Sequence, residues 1–148
     1  MKKKLRNIWL LSAVMSVLLL SACEIVTHDN GKLDGFWHME QIDTIATGGV
    51  KDMSGEVYFW AVQSKILEVS DRTTIDRIIF RFKDENNKLS LYDARISDRT
   101  IGDPLIQDVD LLRPFGINAL EEEFDIEALD GGKMVLRSET LRIRFRKF

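Results

Sequence analysis

Apolar and polar residues alternate along most of the chain from Gly35 to Phe148. The clearest stretch is residues 76–83. Ile78, Phe80 and Phe82 share one face there, and Arg77, Arg81 and Lys83 share the other. Only Ile79 spoils the pattern. Alternation of period two places successive side chains on opposite faces of a strand. Asp84-Glu85-Asn86-Asn87 follows, and Asn and Asp tolerate the left-handed dihedrals of a tight turn. A second strand over 88–96 completes a predicted hairpin.

The C-terminal third repeats the theme. Phe124, Ile126 and Ala128 alternate with Glu123, Asp125 and Glu127, and Asp130-Gly131-Gly132 has hairpin-turn chemistry. Met134 and Leu136 continue on even positions, whereas Leu141, Ile143 and Phe145 fall on odd ones. A strand cannot change parity without a bulge or a turn, so a tight turn is predicted at Ser138-Glu139.

Two stretches depart from simple alternation. Val57–Val62 reads Val-Tyr-Phe-Trp-Ala-Val, apolar on both faces, and such a strand needs cover on both sides. In 97–120, Asp103-Pro104 is a helix-start signal. Leu105, Val109 and Leu112 then follow at helical spacing until Pro114 ends the run. A short helix or an irregular segment is expected over about 104–112, as a lid for the two-faced strand.

Eight strands result, at about 36–46, 55–62, 64–70, 76–83, 88–96, 121–129, 133–138 and 140–147. The helix or irregular segment would lie between strands 5 and 6. Hairpin-linked short strands indicate an all-β antiparallel barrel or sandwich. Eight is the number at which an up-and-down barrel closes around a filled interior or one small ligand.

The N-terminus changes the picture. A basic Met-Lys-Lys-Lys-Leu-Arg precedes an apolar run from Ile8 to Leu20, then Leu20-Ser21-Ala22-Cys23. This is the anatomy of a secretory signal. Leu-Ser-Ala-Cys resembles the lipobox of bacterial lipoproteins, which implies cleavage before Cys23 and lipid, such as palmitate, on its thiol. The expected organisation is a signal peptide over 1–22, an anchored tether over 23–34 and a barrel domain over 35–148. The expected location is the bacterial cell envelope, at the outer membrane. Cys23 is the single cysteine, so the fold must hold without an internal disulfide.

Removing 1–22 leaves 126 residues with 17 basic and 24 acidic side chains, a net charge of −7. An acidic surface repels phosphate backbones, which disfavours nucleic acid as a partner.

Gly35-Phe36-Trp37 opens the first strand. A Gly-x-Trp there resembles the lipocalin signature. The resemblance implies that Trp37 closes one end of the barrel against a basic residue of the last strand, with Arg144 the selected candidate among Arg142, Arg144 and Arg146. Val57-Tyr58-Phe59-Trp60, Leu112-Arg113-Pro114-Phe115-Gly116-Ile117 and Lys133-Met134-Val135-Leu136-Arg137-Ser138 resemble the small lipocalin-like lipoproteins of Gram-negative gut anaerobes. That implies the fold but little chemistry.

The residues themselves offer no catalytic arrangement. There is no nucleophile-elbow, P-loop or paired-histidine motif. His28 and His38 are too few and too separated for a metal site. Asp103, Asp108 and Asp110 share a loop but do not match a calcium-loop pattern. The acidic run from Glu121 reads as a cross-strand charge ladder. No enzyme activity, cofactor or metal is expected. If the barrel holds a ligand, Tyr58, Trp60 and Tyr92 are the expected contacts, since Tyr and Trp join an apolar body to a polar tip. Two functions stay open. One is a membrane-anchored barrel binding a small apolar or amphipathic molecule. The other is an envelope protein-interaction module with a filled barrel.

Overall fold

The computed structural model describes residues 30–148. The expected signal peptide, Cys23 and His28 lie outside the described residues. Nine strands form: β1 (Gly35–Thr44), β2 (Val50–Asp52), β3 (Tyr58–Gln63), β4 (Ile66–Asp71), β5 (Arg77–Glu85), β6 (Lys88–Ile96), β7 (Glu122–Leu129), β8 (Lys133–Arg137) and β9 (Leu141–Lys147). All neighbours are antiparallel, and β1 pairs with β9 to close the sheet. Closure removes the exposed edges that an open sheet would carry.

The barrel proper has eight strands, with β2 as an extra. β1 pairs with β3 through Gly35–His38, and with β2 only through Gln41–Asp43. The returning chain is therefore one strand broken in two by residues 53–57. The expected 55–62 strand corresponds to its second piece. β2 escapes sequence patterning because all three of its residues are exposed.

The hairpin chemistry acts as expected. Asn86 and Asn87 both adopt positive φ, 54° and 63°, between β5 and β6. Asp130 accepts hydrogen bonds from the Gly132 and Lys133 amides at 2.7 and 2.8 Å. Both bonds favour its ionised carboxylate and hold it below the usual carboxylate range. The parity change between β8 and β9 is a turn in which Ser138 N–H donates to the Leu141 carbonyl.

The excursion over 97–121 lies between β6 and β7, one strand later than expected because β2 raises the count. Within 104–112 it is irregular apart from one short 3-10 turn, with no α-helix. Asp103 takes φ 49° instead of capping, and Leu105 forms a bridge with Arg95. Two 3-10 turns follow, Val109–Leu111 and Arg113–Phe115. Asp108 is the working cap, accepting from the Asp110 amide at 2.9 Å.

The core runs along the barrel axis. Trp37, Trp60, Phe80 and Phe124 are fully buried. Trp60 packs edge-on to Phe124 at 5.7 Å and against Phe145 at 5.0 Å between ring centroids. The outer face of β3 has different cover from that expected. Phe59 stacks on Phe36 at 4.5 Å, and Phe148 meets both rings edge-on. Residues 104–117 cover the inner face instead.

Candidate functional site

A barrel acts on a ligand through its ends, and both ends are occupied by the chain itself. The entry end is where β1 begins. Gly31–Leu33 forms a 3-10 turn there, and Leu33 is fully buried. Residues 30–34, expected as the last part of a tether, are thus docked on the barrel. Trp37 donates its indole N–H to the Leu33 carbonyl at 2.8 Å. Its ring lies under the Lys147 ammonium, 4.8 Å from the centroid.

Lys147, not Arg144, is therefore the basic partner of Trp37. The reason is parity. Ile143 and Phe145 point inward on β9, and Lys147 continues that face. Arg144 points outward and pairs with Asp43 at 3.2 Å. Gly35 takes φ 138°, and a Cβ there would collide with the Lys147 stem. A residue without a side chain is required for the lysine to cross to the Trp.

The far end is stoppered by 97–121. Leu112 and Ile117 are fully buried, and Phe115 nearly so. Trp60 donates its indole N–H to the Phe115 carbonyl at 3.2 Å. Tyr58 meets the Phe115 ring edge-on at 5.6 Å. Burial pushes the Tyr58 phenol up, helped by the Asp71 charge. Gly116 sits at φ 77°, and a Cβ there would strike Ile143. Glu122, also on an inward position, accepts from the Asn118 amide at 2.5 Å. Burial raises its pKa, partly offset by that hydrogen bond.

Of the three expected ligand contacts, Tyr58 and Trp60 meet beneath the stopper. Tyr92 does not join them. Leu89 and Leu91 hold the inward face of β6, so Tyr92 faces the outer wall. It lines a cleft of about 530 Å³ with Lys83 and Glu121–Glu123. A second cleft of about 620 Å³ shares those three glutamates and adds Lys88 and Arg137. The ion pairs here form a ladder: Lys88 with Glu123 and Asp125, and Glu127 with Arg137 and Arg142. Exposed pairs of this kind contribute about 0–1 kcal/mol each.

Patterning also missed His38. It is 6% exposed although it lies on an outward position of β1. Nδ1 lies 2.7 Å from the Glu40 carboxylate, and Nε2 lies 2.7 Å from the Glu56 carbonyl. Among the described residues, no three His, Cys, Asp or Glu side chains form a metal-ligating group. None of the described helices is long and apolar enough to cross a membrane.

An eight-stranded closed barrel, with Gly-x-Trp at its first strand and a cation over that Trp, defines a lipocalin-like architecture. Comparison with known families agrees: residues 18–148 match the lipocalin-like domain, and the chain belongs to that family. A lipocalin-like protein from Bacteroides uniformis has a similar structure, with TM-score 0.60 and 18% identity. The alignment covers 80% of this chain and 100% of that one. A protein from Bacteroides eggerthii is similar at TM-score 0.59 and 18% identity, over 78% of this chain and 98% of that one. No curated protein matches the chain.

Proposed function

We propose that this protein is a non-enzymatic, lipid-anchored module of the bacterial envelope that docks another protein through its far end. The observation that carries this reading is the filled barrel. Aromatic side chains occupy the axis, and the chain stoppers both ends. A carrier of the same size needs that space for its ligand. The placement of exposed aliphatics supports docking. Val50, Ile75, Ile101, Leu105 and Leu111 are 48–96% exposed. Val50 opens β2 next to the far-end turn after β1, Ile75 lies in the β4–β5 turn, and the other three belong to the 97–121 excursion. An anchor at Cys23 would hold the entry end toward the membrane and leave the far end facing away.

Site-specific photocrosslinking in intact cells tests the reading. A crosslinker at Ile75 or Ile101 should give one discrete protein adduct, and one at Arg137 on the wall should not. Cys23→Ala should leave the protein released or unprocessed and remove the adduct. An adduct pattern independent of position would contradict docking at the far end.

A second reading has one observation in its favour. Beyond its single bridge to β6 at Leu105, the stopper is held by 3-10 turns and by the Trp60–Phe115 hydrogen bond rather than by a strand ladder. Such a segment could swing and admit a small apolar molecule against Tyr58 and Trp60. A co-purifying apolar compound, lost in Trp60→Ala, would favour this reading over docking.

A further inference from the structure

We propose that a cleft on the outer wall, bounded by β4, β5, β6 and the first part of the 97–121 excursion, binds a small aliphatic zwitterion of the free amino-acid class. The cleft measures about 290 Å³, and Ile66, Ile79, Arg81, Asp93, Arg95 and Asp103 line it. That is the small end of the range for ligand clefts. It forms where β6 leaves regular pairing. Ile79 faces Arg95 and Arg81 faces Tyr92, so Asp93 and Ala94 together stand opposite Phe80. Such a bulge re-aims a side chain, and Asp93 takes φ 55° in it. Arg95 then holds both sides of the cleft. It pairs with Asp93 at 2.9 Å, and its Nη1 donates to the Asp103 carbonyl at 3.1 Å.

Two charged groups in this cleft are left without a bonded partner. Asp103 Oδ1 is shielded from solvent, and no donor reaches it among the described residues. A shielded acceptor left unbonded is costly, so the atom calls for a donor. Arg81 is exposed, and the ion pairs of this wall leave it out, since Arg77 takes Glu68 and Arg95 takes Asp93. The four charges lining the cleft balance, and Arg95 and Asp93 satisfy each other. What remains is one anion, Asp103, and one cation, Arg81. An ammonium brings three donors and no acceptor, which suits Asp103 Oδ1. A carboxylate suits the planar fork of the Arg81 guanidinium. Ile79 and the 41% exposed Ile66 add apolar surface for an aliphatic side chain. A ligand with a single charge leaves either Asp103 or Arg81 unanswered. None of these residues is among the exposed aliphatics on which docking rests.

Titration of the 15N-labelled full chain in detergent micelles with L-leucine tests the site. The Arg81, Gly102 and Asp103 amides should shift saturably, and the Trp37 indole signal should stay in place. L-Leucinamide lacks the carboxylate and N-acetyl-L-leucine lacks the ammonium. Each should bind about tenfold more weakly than leucine. Arg81→Gln alters an exposed side chain without an ion pair, so the barrel should remain folded. It should weaken leucine about tenfold and leave leucinamide unchanged. Asp103→Asn should weaken leucine and leave N-acetyl-leucine unchanged. Absence of saturable shifts at millimolar leucine would overturn the proposal. So would equal binding of the three compounds, or leucine binding that Arg81→Gln does not alter. None of these results bears on docking, because none reads a protein partner.

Discussion

The two ends of the barrel are closed by different means. At the entry end, closure is local and compact. One 3-10 turn supplies Leu33 and its carbonyl, Trp37 fills the opening, and Lys147 lies across the ring. At the far end, closure takes the long excursion over 97–121. That excursion has few ladder hydrogen bonds, and it relies on apolar burial, a left-handed glycine and one indole hydrogen bond. The first arrangement resists opening because its parts are held by neighbouring strands. The second is the element of the fold most able to open without unravelling a sheet.

The largest effect should come from the entry end. Trp37→Ala removes a fully buried aromatic and leaves a cavity at the barrel base. It should cost about 3–5 kcal/mol, read as a lowered midpoint in urea unfolding. A midpoint near that of the parent would show that this end is not closed by the Trp.

Gly116→Val tests the far end. It demands a left-handed branched residue and drives a side chain into Ile143. The expected loss is about 2–4 kcal/mol. Amide exchange in 105–117 should rise well before the entry-end ladder opens. Uniform loss of protection would mean that the two ends open together.

Lys147→Ala against Arg144→Ala sharpens the closure itself. The cation over Trp37 should contribute about 0.5–2 kcal/mol, and the exposed Arg144–Asp43 pair about 0–1 kcal/mol. Equal losses would remove the distinction between the inward and outward basic residues.

Glu122 gives the smallest effect, and its sign is defined. Burial raises its folded-state pKa above the unfolded value, so folding takes up a proton in that interval. Its ionisation therefore destabilises the fold as pH rises through that interval. Glu122→Gln should retain the acceptor for Asn118 and gain stability at pH 7. The gain should shrink toward acid pH, in paired unfolding curves at pH 7 and pH 5. Glu40, Asp43, Asp71 and Glu127 act in the opposite sense. Their pKa values are lowered, so the stability they contribute is lost as pH falls.

The same contrast explains what could be read from the residues. Strands buried on one face leave an alternating record, so the 76–96 hairpin and the switch of parity at Ser138 were both legible. Lys147 was legible too, since it continues the odd-numbered inward face of Ile143 and Phe145. It was missed because the apolar pattern stops at Phe145 and a lysine does not announce burial. Tyr92 follows the same logic, an even position on a strand whose odd leucines face inward. β2 left no record because nothing on it is buried. Of the two forms expected for the far-end stopper, an irregular segment with 3-10 turns is the one that forms, because Asp-Pro is also turn chemistry. Its buried set, Ile106, Leu112, Phe115 and Ile117, has no helical period. His38 could not be found by patterning at all, since its partners come from a bulge, a distant carbonyl and the last strand.

The central claim is that the chain fills its own barrel. Its most direct test is titration of the full chain carrying Cys23→Ser with an apolar fluorophore that brightens out of water. The parent should show no saturable binding, and Trp60→Ala should show a new saturable site, where removal of the indole opens the axis. Saturable one-to-one binding by the parent, weakened by Trp60→Ala, would contradict it.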